Sequence, residues 1–501
     1  MAHKSLKKGG ASCSAIEPSP RADVEEETEP SNVTGARVWT ITLFTMTACL
    51  GSMLNGFVLG YSSATLVDLN NTNPETGEHG LASDSAYSSL FGAFAPVGAL
   101  VGGPVAGWMS DRFGRKIGIM DGFIALFELG RILTGFAAGW MSLCVPVYVS
   151  EISTAKLKGL FGACQQLFVT LGIFFVEILG TISSYRPDFK YYHVSLVALA
   201  IVLVFEALML ITKETPRWLM SHNKPDVAKD VLRFLRGPAC NIDKELNGMV
   251  EALKKQPQLT FGQTLQEFRH RAVYFPVLLA LGLAFFQQFS GINAAIFYAA
   301  PIFSEAQVSN PTLVASFAVG AVQVVFTLVS VLLVDLAGRK VLLVIGSVVL
   351  SLSGVMIGVE FILGHFYCHS DSACRFSPLA IVGLIFYIMA FSIAWGAIPW
   401  LMMSELIPQR VRGISSGIVT AFNWSLAAII TGAFKPYSDA VRPWFAWWTF
   451  AVFMALSIPF VLLLLPETKG HSLEEIEELF ERHHNTKEKE KLVESNYGSV
   501  N

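Results

Sequence analysis

Long apolar runs alternate with short polar stretches along most of this chain. Four such runs lie in the first half and six in the second, each about as long as an α-helix that crosses a bilayer. Their approximate bounds are 38–66, 87–108, 159–183 and 193–211, then 272–303, 312–333, 341–365, 378–403, 414–434 and 444–465. The pattern predicts an all-α membrane protein.

Polar segments divide these runs into two halves. We expect residues 1–36 to form a disordered cytoplasmic tail, 37–212 a first transmembrane half, 213–271 a helical linker, 272–465 a second half and 466–501 a charged tail. The linker is rich in Lys and Arg, which places it on the cytoplasmic side together with both tails.

The composition supports a bilayer environment. Of the 501 residues, 52% are hydrophobic and 15% are charged, and the mean hydropathy is +0.50, values that an ordinary soluble protein does not combine. A net charge of −3 gives no basis for binding nucleic acid. Most cysteines show no metal-ligand spacing, so we expect neither a metal nor a cofactor, and no enzyme.

Two polar loops carry candidate modification sites. Cys368 and Cys374 share one segment between two apolar runs, and a disulfide between them is a candidate if the segment is extracellular. Asn70 begins an Asn-Asn-Thr sequon after the first run, so we expect it to be glycosylated if that loop faces the outside or a lumen.

A short basic motif occurs twice. Residues 111–116 read Asp-Arg-Phe-Gly-Arg-Lys, and residues 335–340 read Asp-Leu-Ala-Gly-Arg-Lys. Each copy lies between long apolar runs, which is typical of a duplicated bundle with paired cytoplasmic hinges.

The repeat also reveals a shortage of residues in the first half. Arg115 and Glu151 are 36 positions apart, whereas their counterparts Arg339 and Glu405 are 66 apart. As helix, 36 residues measure about 54 Å, which is less than two membrane crossings of about 30 Å each and a turn. We therefore predict an abbreviated third helix, with residues 117–127 as its remnant.

Three explanations of the short segment stay open. The chain is a splice isoform, the product of a faulty gene model, or a protein with a short hairpin that leaves Glu128 and Arg131 near the cytosolic face. Loss of a whole helix reverses the topology of one side.

Neutral amides form the first group of candidate functional residues. Gln287, Gln288 and Asn293 fall in the middle of an apolar run, where carboxamides are costly unless they face a wet cavity or one another. Amides both donate and accept hydrogen bonds, which suits a polyhydroxylated ligand. A neutral polar solute is therefore the expected guest.

Further polar groups lie in other runs. Gln166 falls in the fifth helix of a twelve-helix count, Gln323 in the eighth and Asn423 in the eleventh. We expect these groups to converge from both halves without a buried charge. Trp400 offers a flat face for a sugar ring, with ordinary packing as the alternative.

Charged residues cluster at the helix ends on one side of the membrane. There, ion pairs can form in one conformation and break in another. Exposed pairs contribute about 0–1 kcal/mol each, but several together bias a two-state equilibrium. Topology signals explain part of their presence. The candidates are Asp111, Arg112, Arg115, Glu151, Lys158, Glu214, Arg217, Asp335, Arg339, Glu405 and Arg412.

Several ordered motifs together resemble the sugar porters of the major facilitator superfamily. Besides the two basic motifs, they are Glu214-Thr-Pro-Arg217, Gln287-Gln-Phe-Ser-Gly-Ile-Asn293, Ile398-Pro-Trp400, Asn423-Trp424 and Pro466-Glu-Thr-Lys-Gly470. The resemblance implies a major facilitator fold of two six-helix halves joined by a cytoplasmic helical linker, here with its third helix truncated. It also implies that the charged cluster latches the outward-open state.

The same resemblance implies a sugar site and its partners. The residues that contact the sugar would be Gln166, Gln287, Gln288, Asn293, Trp400 and Asn423, with Gln323 in a place often held by Asn. The implied partners are a hexose, with a disaccharide as the alternative, and the lipid bilayer, around a monomeric functional unit. The expected location is the plasma membrane, with an endosomal or lysosomal membrane as the alternative.

Two positions favour facilitated transport over proton coupling. Proton-coupled relatives carry an Asp in the first helix where this chain has Ser62, and Ser392 stands where class I glucose porters place a Glu. Residues 60–64 resemble class III hexose transporters and trehalose porters. We therefore predict a uniporter of glucose or a related hexose. The alternatives are a non-transporting or regulatory isoform disabled by loss of the third helix, and a proton-coupled symporter.

Overall fold

A computed structural model describes most of the chain between Gly35 and Lys469. The described residues are 35–70, 85–116, 131–186, 188–189, 191–237, 242–255, 263, 266–297, 310–367, 377–408, 411–469, 476 and 480. Within this part of the chain, all regular secondary structure is helical.

Five long helices make up the described part of the first half. They are α1 Gly35–Asn70, α2 Ser85–Phe113, α3 Arg131–Ile152, α4 Ala155–Tyr185 and α5 Tyr191–Ile211. Their shared core includes the fully buried side chains of Met141, Tyr148 and Phe205. Apolar residues surround each helix on nearly all sides, because lipid solvates the face that the core leaves free.

The described part of the linker contains three short helices. They are α6 Pro216–Ser221, α7 Pro225–Arg236 and α8 Ile242–Lys255. The apolar face of α7 joins the core of the first half. At its end, the Arg236 guanidinium donates to the carbonyls of Ile152 at 2.8 Å and Ser153 at 3.2 Å. The linker is therefore anchored to the end of α3.

The described part of the second half contains six helical stretches long and apolar enough to cross a membrane, some of them broken. They are α9 Arg271–Phe289 with α10 Ile292–Phe297; α11 Pro311–Ala315, the π-helical turn π1 Ser316–Ala321 and α12 Val322–Ala337; α13 Arg339–Tyr367; α14 Ser377–Ala390, π2 Phe391–Trp395 and α15 Ile398–Leu406; α16 Arg412–Val441; and α17 Pro443–Leu464. Single π-helical turns often mark functional positions.

Eleven helical stretches of the described chain are long and apolar enough to cross a membrane. Five belong to the first half and six to the second. The span at Ile132–Ile152 adds one crossing to the four apolar runs predicted for the first half. The predicted remnant of the third helix, residues 117–127, lies outside the described residues.

Helices α2 and α3 run parallel to each other. A Cβ atom added at Gly98 would collide with the Ile132 carbonyl, and one added at Gly102 would collide with the Phe136 carbonyl, so contacts advance in the same direction along both helices. Arg131 therefore lies at the end of the bundle opposite Lys116. The explanation that places Arg131 near the cytosolic face is wrong, and the topology is not reversed.

The two halves meet along two helix pairs. Helix α2 packs against α16, and α4 packs against π1 and α12. Between them, the Trp424 indole N–H donates to the Ser142 hydroxyl at 3.4 Å, which joins α16 to α3.

Candidate functional site

Four amide side chains form one hydrogen-bonded network inside the second half. Gln288 Nε2 donates to Asn423 Oδ1 at 2.9 Å, and Asn423 Nδ2 donates to Gln287 Oε1 at 2.8 Å. Asn293 Nδ2 donates to Gln288 Oε1 at 2.6 Å. The structure thus brings Asn423 of α16 together with the three amides of α9 and α10.

Two backbone irregularities position this network. Gly291, at φ +77°, separates α9 from α10 and turns the chain so that Asn293 reaches back to Gln288. On the other side, Gln287 Nε2 donates to the carbonyl of Trp395 at 2.7 Å, at the end of π2. The π-helical turn supplies a carbonyl that a continuous α-helix would use internally.

The network is buried and internally satisfied. Gln287, Gln288 and Asn423 are 4%, 6% and 3% exposed, and Asn293 is half-buried. Amide–amide hydrogen bonds remove most of the cost of burying such groups. A ligand hydroxyl can replace one of these bonds without leaving a buried amide unpaired, so the network can bind and release a neutral polyol at low cost.

The other three predicted contact residues are not hydrogen-bonded to the network within the described part of the chain. Gln323 on α12 is buried, and its Oε1 has no hydrogen-bond partner among the described residues. Gln166 on α4 and Trp400 on α15 are half-buried. Within the described part of the chain, no hydrogen bond connects these side chains to the four amides, and their roles stay predictions.

One member of the site escaped the sequence analysis. The Trp395 side chain is fully buried beside the network, and its indole N–H donates to Ser347 Oγ at 3.0 Å. Ser457 in turn donates to Ser347 at 2.7 Å. No feature of the sequence separates Trp395 from the many aromatic residues that pack membrane helices.

Three buried acidic residues lie in the spans, but none belongs to the network of four amides, so the expectation that the polar groups converge without a buried charge stays a prediction. Glu177 on α4, Glu206 on α5 and Glu360 on α13 lie within membrane spans and are each less than 10% exposed. An acidic residue inside an apolar run is itself a signal of function, so this rule applied to each run would have found all three.

The basic motif of the first half surrounds a carboxylate. Glu214 accepts hydrogen bonds from the backbone N–H groups of Arg115 at 3.0 Å and Lys116 at 2.9 Å. The Arg115 guanidinium pairs with Glu151 at 3.5 Å, and the Thr215 hydroxyl donates to the second oxygen of Glu151 at 2.5 Å. We name this group the first charged cluster.

The second half repeats this arrangement almost atom for atom. Glu467 accepts from the backbone N–H groups of Arg339 at 3.1 Å and Lys340 at 3.0 Å. The Arg339 guanidinium pairs with Glu405 at 3.1 Å, and the Thr468 hydroxyl donates to Glu405 at 2.6 Å. This second charged cluster confirms the duplication that the two basic motifs predicted.

The remaining predicted charges take several positions. Arg112 is exposed and lies 5.7 Å from the Trp108 ring centre, Arg217 is half-buried on α6, and Arg412 donates to the Ile407 carbonyl at 3.3 Å. The side chains of Asp111, Lys158 and Asp335 lie outside the described residues. Both clusters close within one half, so a latch between the halves stays a prediction.

The pKa values of the two cluster carboxylates, Glu214 and Glu467, are shifted in opposite directions. Burial raises the pKa of Glu214, and the Glu151 charge acts in the same direction, although three backbone N–H groups oppose them. Burial also acts to raise the pKa of Glu467, but four backbone N–H groups outweigh it and lower that pKa. The four donors belong to Lys469, Lys340, Arg339 and Thr468.

We therefore expect Glu467→Gln to destabilise the protein more than Glu214→Gln near neutral pH. Both substitutions remove one acceptor oxygen, so the difference between them reports the charge. A lowered pKa means that folding favours the ionised form, a contribution that is present above the unfolded pKa and lost as pH falls through the folded one. A raised pKa means that the charge opposes folding. Apparent melting temperatures in detergent at about pH 7.5 test this order, and a larger loss in Glu214→Gln contradicts it.

The candidate modification sites lie at the edge of the described chain. Asn70 is the last residue of α1, and its side chain is outside the described residues. Cys368 and Cys374 are outside them as well. Glycosylation and the disulfide therefore stay predictions.

The fold and site define a class of membrane transporter, and comparison with known proteins agrees. Residues 44–480 match the family model described as sugar (and other) transporter. The chain therefore belongs to the sugar transporter family, of the major facilitator type, as the sequence motifs indicated.

Individual relatives narrow the comparison. The chain is 34% identical over 476 residues to solute carrier family 2, facilitated glucose transporter member 8, of Mus musculus. The alignment covers 89% of this chain and 95% of that protein. It is 31% identical over 457 residues to the facilitated trehalose transporter Tret1 of Drosophila yakuba. That alignment covers 88% of this chain and 52% of the Tret1 protein. The chain thus spans about half the length of this trehalose transporter.

A solved structure supports the fold. The proton:xylose symporter XylE bound to 6-bromo-6-deoxy-D-glucose superposes with a TM-score of 0.73 and 24% sequence identity, covering 89% of this chain and 100% of that one. This confirms the major facilitator architecture predicted from the motifs.

Proposed function

We propose that this protein is a uniporter that moves glucose or a related hexose down its gradient by alternating access. The observation that carries the proposal is the buried network of four neutral amides, which matches the hydroxyl groups of a sugar and includes no charged side chain. Two relatives, a facilitated glucose transporter and a facilitated trehalose transporter, support facilitated transport of a sugar.

The proposed roles follow from position. Gln287, Gln288, Asn293 and Asn423 exchange their mutual hydrogen bonds for sugar hydroxyls. Gln166 and Gln323 approach the sugar from α4 and α12, and Trp400 covers one face of its ring. The buried, unpartnered Gln323 Oε1 is an acceptor that a sugar hydroxyl can satisfy.

In this proposal, the two charged clusters control the cytoplasmic side of the transporter. Each holds the cytoplasmic end of its own half rigid, and rearrangement between the clusters would lock or release that side of the transporter. The transporting unit is one chain. We place it in the plasma membrane, with an endosomal or lysosomal membrane as the alternative site.

Uptake of radiolabelled D-glucose into proteoliposomes tests the function. We expect saturable uptake that exceeds the uptake of L-glucose and that carries no protons, as reported by a pH-sensitive dye inside the vesicles. Protein-free liposomes are the control. Sugar-driven acidification would establish the symporter instead, and D-glucose uptake equal to that of L-glucose would contradict hexose transport.

A non-transporting isoform is the second candidate, and one observation favours it. The parallel course of α2 and α3 places Lys116 and Arg131 at opposite ends of the bundle, with 14 residues of sequence between them. Fourteen residues measure about 21 Å as α-helix, less than the bilayer core of about 30 Å. If correctly inserted protein binds D-glucose but does not transport it, this second function replaces the first.

A further inference from the structure

A polar contact closes the two halves together at the end away from the charged clusters. The Thr181 hydroxyl of α4 and the Ser316 hydroxyl of π1 are 2.7 Å apart, and Ser316 donates to the Glu177 carbonyl at 3.0 Å. The rings of Phe174 and Phe317 flank these bonds, with centroids 6.4 Å apart. We name this contact the extracytoplasmic seam, because basic clusters mark the opposite face as cytoplasmic.

The carboxyl group of Glu177 lies buried in this seam. The residue is 3% exposed, neither carboxyl oxygen has a side-chain partner among the described residues, and the backbone N–H of Gly320 on π1 is directed at the carboxyl. The helices approach so closely that a Cβ atom added at Gly320 would lie 2.7 Å from Glu177 Oε2. Because an unpaired carboxylate is very costly in such a place, the neutral acid is the form that fits the closed seam.

No titratable side chain among the described residues pairs with the Glu177 carboxyl. The elements packed against α4 are α1, α3, α5, α11, π1 and α12. None of their titratable side chains within the described residues makes an ion pair or hydrogen bond with Glu177. These side chains are Cys49 and Tyr61 on α1, Cys144, Tyr148 and Glu151 on α3, and Tyr192, His193 and Glu206 on α5.

Opening the seam would change the surroundings of the carboxyl. If α4 separates from π1, water reaches Glu177 from the extracytoplasmic side, and the acid can ionise there. An ordinary glutamate is protonated in about 1 of 500 molecules at pH 7 and in about 1 of 6 at pH 5. Extracytoplasmic acidity therefore changes the fraction of molecules that are ready to close by roughly 100-fold over this range.

We propose that Glu177 is a proton-binding site that controls the extracytoplasmic seam. The seam closes when the carboxylate takes one proton from the extracytoplasmic solution, and it opens when the acid returns that proton to the same side. The proton acts as a regulator and is not carried across. The inference rests on the proposed alternating access but not on the identity of the sugar.

The test measures how accessible the seam is. Ser316→Cys places a thiol in the seam, and its labelling by a membrane-impermeant maleimide is followed by mass spectrometry in sealed vesicles with the extracytoplasmic face outward. The rate is divided by that of the same protein carrying Glu177→Gln, which cancels the pH dependence of the thiol. We expect this ratio to rise between 10- and 100-fold from about pH 5 to about pH 7.5.

Matched variants keep the test decisive. Glu206→Gln and Glu360→Gln make the same chemical change in spans away from the seam, and each should keep the pH dependence of the parent protein. A ratio that stays flat with pH overturns the proposal, as does an equal loss of pH dependence in Glu360→Gln. Proton uptake driven by sugar and lost in Glu177→Gln would show that the proton is co-transported, which also overturns it.

The same vesicles separate this inference from the proposed function. D-Glucose uptake is measured in parallel, without the maleimide. Labelling that depends on pH without any sugar uptake supports the role of Glu177 and counts against hexose transport. Normal uptake with a labelling ratio that does not change with pH supports hexose transport and overturns the role of Glu177.

Discussion

Uptake of D-glucose by the reconstituted protein is expected to fall to background when Gln288 or Asn293 is replaced by Ala. Gln288 connects the network, because it donates to Asn423 and accepts from Asn293. Its loss leaves the buried Asn423 Oδ1 and the half-buried Asn293 Nδ2 without these partners, at about 1–3 kcal/mol for a fully buried group, and removes one hydrogen-bonding group from the sugar. Since 1.4 kcal/mol is tenfold in affinity, a loss of at least about 100-fold in uptake efficiency is expected.

The control for this prediction is Ser425, which lies two residues after Asn423 on α16. The Ser425 hydroxyl donates to the Ala421 carbonyl of its own helix at 2.7 Å. Ser425→Ala should therefore keep normal uptake. Membrane abundance of all variants is measured by quantitative immunoblotting, so that loss of transport is not confused with loss of protein. Normal uptake in both Gln288→Ala and Asn293→Ala would rule out the assigned site.

Replacing Gly338 by Ala should destabilise the cytoplasmic end of the second half. Gly338 has φ +90° and ψ 155°, a backbone conformation that essentially only glycine adopts. An added Cβ atom would lie 2.8 Å from Glu467 Oε2 and displace the carboxylate from the N–H groups of Arg339 and Lys340. The strain alone costs about 1–3 kcal/mol, so we expect the apparent melting temperature in detergent to fall by a few degrees.

Two further glycines complete this experiment. Gly114 is the counterpart in the first charged cluster, with φ +114°, and Gly114→Ala should show a similar loss. Gly417 lies inside α16 with open space around it. Gly417→Ala should leave stability unchanged or raise it by up to about 1 kcal/mol, because alanine favours helix. Equal melting temperatures for Gly338→Ala and Gly417→Ala would disprove the strain.

The charged clusters show which contacts the repeat in the sequence could predict and which it could not. The spacing of Arg115 and Glu151 against Arg339 and Glu405 revealed equivalent positions in the two halves, and the structure confirms that each pair forms an ion pair. The sequence did not show that both pairs would close within a half. Which charges meet depends on how the helices of each half pack against one another, and this is a property of the tertiary structure.

Glu177 shows a different limit. Its acidic side chain within an apolar run was visible in the sequence, but its meaning depends on what faces it. Gly320 and Ser316, which pack against Glu177 and Thr181 of α4, come from the other half of the protein. Only the packed structure distinguishes a carboxyl in a seam between halves from one that faces its own half.

The sequence by itself determined the membrane class, the duplication, the family and the amides that form the site, because these follow from local composition, helical periodicity and short motifs. The tertiary structure decided the contacts between distant segments. Asn423 meets Gln288 across 135 positions of sequence, and α3 lies parallel to α2 although the segment between them is short. Local pattern specifies a helix and its polar residues, but packing of all the helices together selects which of these residues touch.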